Sequence, residues 1–243
     1  MEKYWKMMKN KKGELEIYIY DEIGCDTFWG DTYSAKDFLS DLEAHEDFKK
    51  IKLYINSPGG DVFEGISIYN VLQRIKTEKN VKVDVQVDGM AASIASIIAM
   101  AGDRIFMPEN SMLMIHNPWT YTRGNSIELR KRADELDKIC ENMKTIYMKR
   151  FNSTSEELSR LLDEETWLDA NESFELGLCD EVLEEVKIAA KFDDKAFRNY
   201  KNVPDAFLNA KNKEKLPEMD SETKAMIERI NKTLKYEEVF SYE

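Results

Sequence analysis

The chain has 243 residues, which suits one large domain, or one domain of about 180 to 200 residues with an appendage. The hydrophobic fraction is 42%, and 11 Phe, 11 Tyr and 4 Trp can fill a sizeable core, so wholesale disorder is excluded. No apolar run reaches the roughly 18 residues of a membrane span, and the Lys-containing N-terminus lacks the apolar segment of a secretory signal. The formal charge of −12 argues against nucleic-acid binding. We therefore expect a cytoplasmic protein that binds neither membrane nor nucleic acid.

Cysteine and histidine usage excludes most metal and cofactor sites. Cys25, Cys140 and Cys179 stand far apart and in odd number, which indicates a reducing compartment and no disulfide framework. The two histidines, His45 and His116, lie in no HExxH motif, and the chain has no CxxC, GxxxxGK[ST] or GxGxxG motif. We expect no metal and no nucleotide cofactor. His45 lies at a charged helix end and is predicted to be a surface residue.

Hydrophobic periodicity predicts strands that alternate with helices. The predicted strands cover residues 15–20, 51–55, 81–87, 104–107 and 112–115. The predicted helices cover 34–46, 62–75, 91–100 and 126–150. Ser34 is expected to cap the first helix, and Gly89 to end the strand over 81–87. The helix over 91–100 is apolar on every side and should be fully buried. This order favours an α/β fold with a parallel sheet.

The charge distribution changes along the last third of the chain. Twelve acidic and two basic residues fall between Ser155 and Lys187, whereas Ala190 to Glu243 holds eleven of each. A solvated helix face explains the acidic run better than a rim that steers or repels substrate. Residues 190–243 contain two of the five prolines and are predicted to form a C-terminal extension, with a helix over 220–236.

Ser93 lies in the segment VDGMAASIAS, in which a strand, a glycine turn and a buried helix follow one another. This order predicts that its hydroxyl lies in the first turn of a helix at the edge of the sheet. The partial positive charge of a helix N-terminus can stabilise a developing oxyanion there. Taken alone, Ser93 is better explained as a small residue that lets the buried helix pack.

Two further features lie at strand ends. In Pro58-Gly59-Gly60, the glycines allow backbone amides to face a ligand, although an ordinary tight turn explains a lone PGG equally well. His116 follows the apolar strand MLMI, and on residue type alone it is a structural hydrogen-bonding residue as readily as a catalytic base.

The segments INSPGGDVFEGISIYN, VDGMAASIASIIAMAGDRIFMPENSMLMIHNP and ETWLDANESFELGLCDEV together resemble, in order and spacing, the signature blocks of the ClpP family of serine peptidases. The resemblance covers roughly residues 14 to 187 and is strongest to the phage and prophage ClpP-like head maturation proteases. It implies a ClpP/crotonase-like layered ββα superhelix with a parallel sheet. We accordingly expect an N-terminal segment over 1–13, a peptidase domain over 14–189 and the extension over 190–243.

The resemblance also implies roles for individual residues. The family's nucleophile falls on Ser93, its general base on His116, and its oxyanion-hole amides on Gly60 and Ile94. A serine hydroxyl needs a neighbouring base to become nucleophilic, so these assignments agree with the features described above. No cofactor is implied.

The third catalytic residue departs from the family pattern. The position of the family's Asp is occupied by Glu165, and Asp163 is the nearest Asp. Glu can orient an imidazole as Asp does, although its additional methylene changes its reach. Glu165 is favoured as the acid over Asp163, and a Ser-His pair with weak support is the third possibility.

The resemblance implies a serine endopeptidase that assembles into a homo-oligomeric ring, a heptamer or double ring, with the helix over 126–150 where the family interlocks two rings. Phage scaffold or capsid proteins are the expected substrates, cleaved without an ATPase. The alternative is a general proteolytic subunit that works with a Clp ATPase. Two other classes stay open: a crotonase-fold acyl-CoA enzyme and a non-catalytic ring or scaffold subunit. The first needs carboxylates in place of Ser-His, and the second leaves the filled nucleophile and base positions unexplained.

Overall fold

The computed structural model describes residues 3–24, 33–185, 197 and 200–204. In chain order the described elements are β1 (Trp5–Lys9), β2 (Leu15–Ile19), α1 (Ala35–Glu43), β3 (Lys50–Ser57), α2 (Val62–Glu78), β4 (Lys82–Ala92), α3 (Ile94–Ala99), β5 (Arg104–Pro108), β6 (Met112–Ile115), α4 (Ser126–Tyr147), α5 (Ser155–Asp163), β7 (Thr166–Asp169), α6 (Ala170–Glu175) and β8 (Glu181–Leu183).

All eight strands belong to one mixed, mostly parallel sheet. Its main path is β1-β2-β3-β4-β5-β8, while β6 pairs with β4 and with β7. The pairs β1–β2 and β6–β7 are antiparallel, and the other pairs are parallel. The predicted α/β class with a parallel sheet is therefore confirmed, and it is consistent with the layered fold that the sequence resemblance implies.

The long strand β4 is the branch point of the sheet. It pairs with β3 along most of its length, whereas on its other side its first part pairs with β5 and its last residues pair with β6. Strand β4 runs through Gly89 to Ala92, so the prediction that Gly89 ends this strand is wrong. Met90 to Ala92 stay extended because β6 supplies hydrogen-bonding partners for them. Helix α3 consequently begins at Ile94 and is shorter than predicted.

The core lies between the sheet and the helices that pack on it. Alternate residues of β3 and β4 are fully buried, as the period-2 pattern predicted. Every residue of α3 is buried, which fits a helix that is apolar on all sides. The starts of the helices follow from their caps. Ser34 caps α1 as predicted, and Asp37 completes a capping box with it. Asp61 accepts the Phe63 and Glu64 amides at the start of α2.

The predicted domain boundaries stay a proposal. Strand β1, which falls in the segment predicted as separate, is hydrogen-bonded to β2 along its whole length. The chain divides into compact units Met1–Val203 and Pro204–Glu243. Cys25 and the helix predicted over 220–236 lie outside the described residues. Among the helices that are described, none combines the length and the apolar composition needed to cross a membrane.

Candidate active site

Ser93 lies at a strained junction between β4 and α3, directly before the helix and not in its first turn as predicted. Its backbone has φ 54° and ψ −127°, a left-handed φ that is uncommon for a non-glycine residue. The conformation is held on both sides, because the Ser93 amide donates to the Met114 carbonyl at 2.9 Å and the Ser93 carbonyl accepts from the Ser96 amide at 3.0 Å. The chain thus turns abruptly from strand to helix with the serine at the turn, as in a nucleophile elbow.

Strand β6 brings the three predicted catalytic residues together through its two pairings. Its parallel register with β4 sets Ala92 beside Met114. Ser93 directly follows Ala92, and His116 directly follows Ile115, the last residue of β6, so both emerge at the same edge of the sheet. Its antiparallel register with β7 sets Ile115 opposite Thr166, and one step further places His116 opposite Glu165.

The Ser93 hydroxyl lies 2.7 Å from Nε2 of His116, which is a normal hydrogen-bonding distance. Both side chains are buried, with exposed fractions of 9% and 6%. Burial lowers the pKa of His116 from its ordinary value of 6.5, against the opposing effect of the Glu165 charge. The imidazole is therefore neutral near pH 7, and Nε2 can accept the serine proton.

Glu165 stands on the other side of the imidazole. Its Oε2 atom lies 3.9 Å from Nδ1 of His116, which is longer than a hydrogen bond and becomes an ion pair only when the imidazole is protonated. Glu165 is buried, and its backbone has a left-handed φ of 51°. Asp163, the alternative acid, is exposed and accepts a hydrogen bond from Asn117 at 2.6 Å. The structure therefore brings Glu165 to His116, while the bond given for Asp163 is to Asn117.

The Pro58-Gly59-Gly60 loop packs directly against Ser93. A Cβ atom at Gly59 would lie 2.7 Å from Cβ of Ser93, so only glycine allows this approach. The Gly59 amide donates to the Ser57 hydroxyl and the Asp61 amide to the Ile23 carbonyl, whereas the Gly60 amide has no acceptor among the described residues. The amide of Ile94 is at the first position of α3, where a helix offers no internal acceptor. Within the described part of the chain, neither predicted oxyanion-hole amide therefore has an acceptor.

A cleft of about 1140 Å³ opens at Ser93 and His116. The glycine loop, α4 and the segment after β6 form its walls, and the aromatic side chains in its lining are Phe63, Trp119, Tyr121 and Tyr200. Phe63, Trp119 and Tyr121 are exposed, which is unusual for large apolar side chains. Exposed aromatic side chains that line a cleft of this size can contact apolar groups of a ligand.

Tyr200 is a site residue that the sequence did not indicate. Its hydroxyl donates to the Pro58 carbonyl, and its ring meets the His116 ring edge-on at 5.4 Å between centroids. No motif signals this position, because it lies outside the segments that carry the resemblance and about 80 residues after His116.

The other histidine and possible metal ligands lie apart from this site in the described part of the chain. His45 is half-buried just after α1. Within the part of the chain that the structure describes, no group of His, Cys, Asp and Glu side chains could hold a metal ion.

Comparison with known protein families gives a match over most of the chain. The model of the Clp protease family matches residues 6–186, which include Ser93, His116, Glu165 and the glycine loop.

Proposed function

Because the chain belongs to the Clp protease family of serine peptidases, we propose that Ser93 is its nucleophile, His116 its general base and Glu165 its third catalytic residue. The observation that carries the proposal is the 2.7 Å contact between the Ser93 hydroxyl and Nε2 of His116 at a strained strand-to-helix turn. Catalytic serines need such a base within hydrogen-bonding reach.

The geometry supports acyl transfer in two steps. The Ser93 oxygen attacks the carbonyl carbon of the scissile peptide bond while Nε2 of His116 accepts its proton. The oxyanion that forms is bound by the Gly60 and Ile94 amides, and the Glu165 carboxylate stabilises the imidazolium. His116 then donates the proton to the leaving amine, and the C–N bond breaks to give an ester on Ser93. Water, deprotonated by His116, hydrolyses that ester and restores the serine.

A homo-oligomeric ring, a heptamer or double ring, is the assembly we propose, with α4 at the subunit interface. This helix has 22 residues, and its buried residues, Met143, Ile146 and Tyr147, all lie in its last two turns. Ile127 and Leu129, near its start, are 75% and 43% exposed. A long helix with exposed apolar residues gains stability by packing against another subunit.

The assembly can be tested with an Ile127→Asp/Leu129→Asp double variant and light scattering. We expect a smaller particle with an unchanged far-UV circular dichroism spectrum. The matched control is Arg130→Gln, which lies in the same exposed turn and takes no part in the capping box that Asn125 and Glu128 form. An unchanged mass for the double variant would contradict an interface at this end of α4.

For the substrate we propose scaffold or capsid proteins of a phage head, cleaved in the cytoplasm of the host cell. The support for this is the similarity of SPGGDVFEG, DGMAAS and MIHNPW to the head maturation proteases. A general proteolytic subunit fed by a Clp ATPase is the second candidate. Cleavage of a capsid scaffold protein without ATP or an unfoldase supports the first, whereas cleavage of folded substrates only with both supports the second.

Covalent labelling tests the catalytic assignment. A fluorophosphonate, which reacts with activated serines, should modify Ser93 alone, as located by mass spectrometry of peptides. His116→Ala should abolish labelling, while the matched control His45→Ala, at the chain's other histidine, should keep the wild-type rate. Label on Ser57, Ser96 or Ser111, or undiminished labelling of His116→Ala, would contradict the assignment.

A further inference from the structure

A segment outside the family match reaches the catalytic residues. Residues 200–202 lie beyond residue 186, where the match ends. They nevertheless contact Glu165, His116 and the glycine loop. These contacts belong to one compact unit, which extends to Val203. The segment is therefore an addition to the matched domain that contacts the proposed catalytic residues.

The segment holds one oxygen of the catalytic carboxylate. Oε1 of Glu165 accepts hydrogen bonds from two consecutive backbone amides, Lys201 at 2.5 Å and Asn202 at 2.8 Å. The other oxygen, Oε2, faces Nδ1 of His116. Two amide donors on a buried carboxylate fix its rotation and satisfy part of its hydrogen-bonding capacity, which leaves Oε2 for the imidazole.

The Asn202 side chain holds the backbone beneath that carboxylate. Its Nδ2 atom donates to the carbonyl of Glu164 at 2.7 Å and to that of Glu165 at 3.3 Å. Glu165 has a left-handed φ of 51°, a conformation that costs a non-glycine residue about 1 kcal/mol or more and persists where neighbours enforce it. Asn202 supplies such enforcement, because both hydrogen bonds end on the peptide groups that flank this backbone position.

Aromatic packing anchors the segment on its other side. The Tyr200 hydroxyl donates to the Pro58 carbonyl, and its ring packs edge-on against His116 and Trp167. The Tyr200 amide donates to the carbonyl of Phe197, which is itself buried next to Trp167. The segment therefore spans the site from the glycine loop to the catalytic acid.

We propose that residues 200–202 are a positioning segment for the catalytic acid, with Asn202 as the positioning residue that holds Glu165 against His116. The inference rests on the proposed role of Glu165. Tyr200 also lines the cleft, and its hydroxyl interacts with the Ser93 side chain. A segment that merely blocked the cleft would not need the three hydrogen-bond donors that this one places on the carboxylate and backbone of Glu165 and on its neighbour Glu164. Ser93 and His116 still line the open cleft.

The test is an Asn202→Asp variant of the full chain. The change is nearly isosteric, removes the Nδ2 donor and adds a negative charge beside Glu165. We expect kcat to fall about tenfold or more, as for loss of a hydrogen bond in a charged network, with KM within about twofold. The matched control is Asn152→Asp, because Asn152 also donates through Nδ2 to a backbone carbonyl, that of Glu175, at an exposed position. The control should keep wild-type kinetics.

A double-variant cycle separates positioning from general support of the fold. If Asn202 acts through Glu165, then Asn202→Asp added to Glu165→Gln should lower the fluorophosphonate labelling rate by less than about twofold further. The same tenfold loss in both backgrounds would overturn the proposal, because Asn202 would then act independently of the acid. An Asn202→Asp variant that is faster than wild type would overturn it as well and would identify the segment as an inhibitory plug.

Failure of the proposed function gives a different result. If wild-type Ser93 takes no label, the catalytic assignment falls and this inference falls with it. If wild-type Ser93 is labelled and Asn202→Asp reacts at the same rate, the catalytic assignment stands and the positioning role alone is overturned.

Discussion

Nδ1 of His116 and Oε2 of Glu165 lie 3.9 Å apart, and both side chains are buried. The two residues face each other because the antiparallel register of β6 with β7 puts them in adjacent positions just beyond the paired residues. At this distance the carboxylate acts on the imidazolium by charge, without a hydrogen bond. Catalytic contacts are often long in a free enzyme and shorten when substrate binds. The contribution of Glu165 is therefore best measured by changing its charge at constant shape.

Glu165→Gln should lower turnover by at least about 100-fold and by no more than about 10⁴-fold, the cost of neutralising a hydrogen-bonded triad acid. The larger value applies if the pair closes to a hydrogen bond in the substrate complex. Asp163→Asn is the matched control, since Asp163 is exposed and bonded to Asn117, and it should cost less than about tenfold. Both variants are assayed by peptide cleavage at matched concentration.

Two results would contradict this assignment. If Asp163→Asn is the inactive variant, the acid lies two residues earlier than the motif indicates. If neither variant loses more than about tenfold, the enzyme works as a Ser-His pair.

The pH dependence of activity should follow the lowered pKa of His116. Burial disfavours the imidazolium, so His116 stays neutral and basic below its ordinary value of 6.5, and the acid limb of the kcat/KM profile should lie below that pH. The nearby positive charge of Lys201 lowers this pKa further, whereas the charge of Glu165 raises it. Lys201→Met should therefore move the acid limb to higher pH, and Glu165→Gln should move it to lower pH.

The lowered pKa of His116 should also make the free energy of unfolding depend on pH. The folded-state pKa of His116 lies below the unfolded value, so the unfolded chain binds more protons as the pH falls. The contribution is fully present above the unfolded pKa near 6.5 and is lost as the pH falls below it. In His116→Gln this part of the pH dependence of urea unfolding should disappear.

An unchanged acid limb of the kcat/KM profile in both Lys201→Met and Glu165→Gln would show that His116 is not the group that titrates.

Local patterns were enough to predict the sheet class, whereas the proposed roles of Ser93 and His116 came from the family resemblance. Alternating residues in β2, β3 and β4 and the apolar stretch of α3 gave their type correctly, because burial on one face or on all faces leaves a period in the sequence. The strand end before His116 followed from the same patterns, whereas the strand-to-helix junction lies at Ser93 and not at Gly89 as predicted. The end of β4 was predicted wrongly at Gly89, because glycine disfavours strands. The residues after Gly89 stay in the strand because they pair with β6, about 20 residues later in the chain, and a local pattern does not show such a contact.

The contacts of residues 201 and 202 with Glu165 could not be predicted from the sequence, for a different reason. Lys201 and Asn202 contact Glu165 mainly through backbone amides, which every residue except proline possesses. Such contacts leave no residue-type signal at a distance of 36 positions. Strand β1 was likewise missed, since WKMMK has no strict alternation and owes its burial to Trp5 packing on Phe38.

The glycine loop should tolerate no side chain at its second glycine. Gly60 has φ 145°, and a Cβ atom there would lie 2.0 Å from the carbonyl oxygen of Ile23, a backbone atom that cannot move aside cheaply. Gly60→Ala should displace the loop and remove its amide from the oxyanion, with a loss of about 100-fold or more in kcat. Gly13→Ala is the control, because Gly13 also has a positive φ, 74°, but open space around it.

The comparison separates backbone strain from steric displacement of the loop. Gly13→Ala should cost about 1 kcal/mol of unfolding free energy with no change in activity. Equal activity losses in the two variants, or full activity in Gly60→Ala, would exclude the Gly60 amide as an oxyanion donor. Peptide cleavage and urea unfolding are the two measurements.

A buried pair of hydrogen-bonded hydroxyls, those of Ser96 and Tyr147, lies behind Ser93, the proposed nucleophile. The Ser96 hydroxyl donates to the Ser93 carbonyl at 2.5 Å and lies 2.7 Å from the Tyr147 hydroxyl, which is left to act as donor to it. Both side chains are fully buried, and burial raises the pKa of Tyr147, so its hydroxyl stays protonated. Ser96→Ala leaves the Tyr147 hydroxyl without its partner and should cost about 1 to 3 kcal/mol of unfolding free energy.

Tyr147→Phe should cost less, about 0.5 to 1.5 kcal/mol, because Ser96 keeps its bond to Ser93. The double variant removes both polar groups and should be more stable than the sum of the single losses predicts. Ser96→Ala should also slow labelling of Ser93 several-fold, since the Ser93 carbonyl loses a donor that helps to hold its strained backbone, whereas Tyr147→Phe should label at the wild-type rate. Urea unfolding and fluorophosphonate kinetics on the four proteins measure both effects. Strictly additive stabilities would show that the two hydroxyls are not coupled, and equal labelling rates would show that Ser96 plays no part in holding the nucleophile.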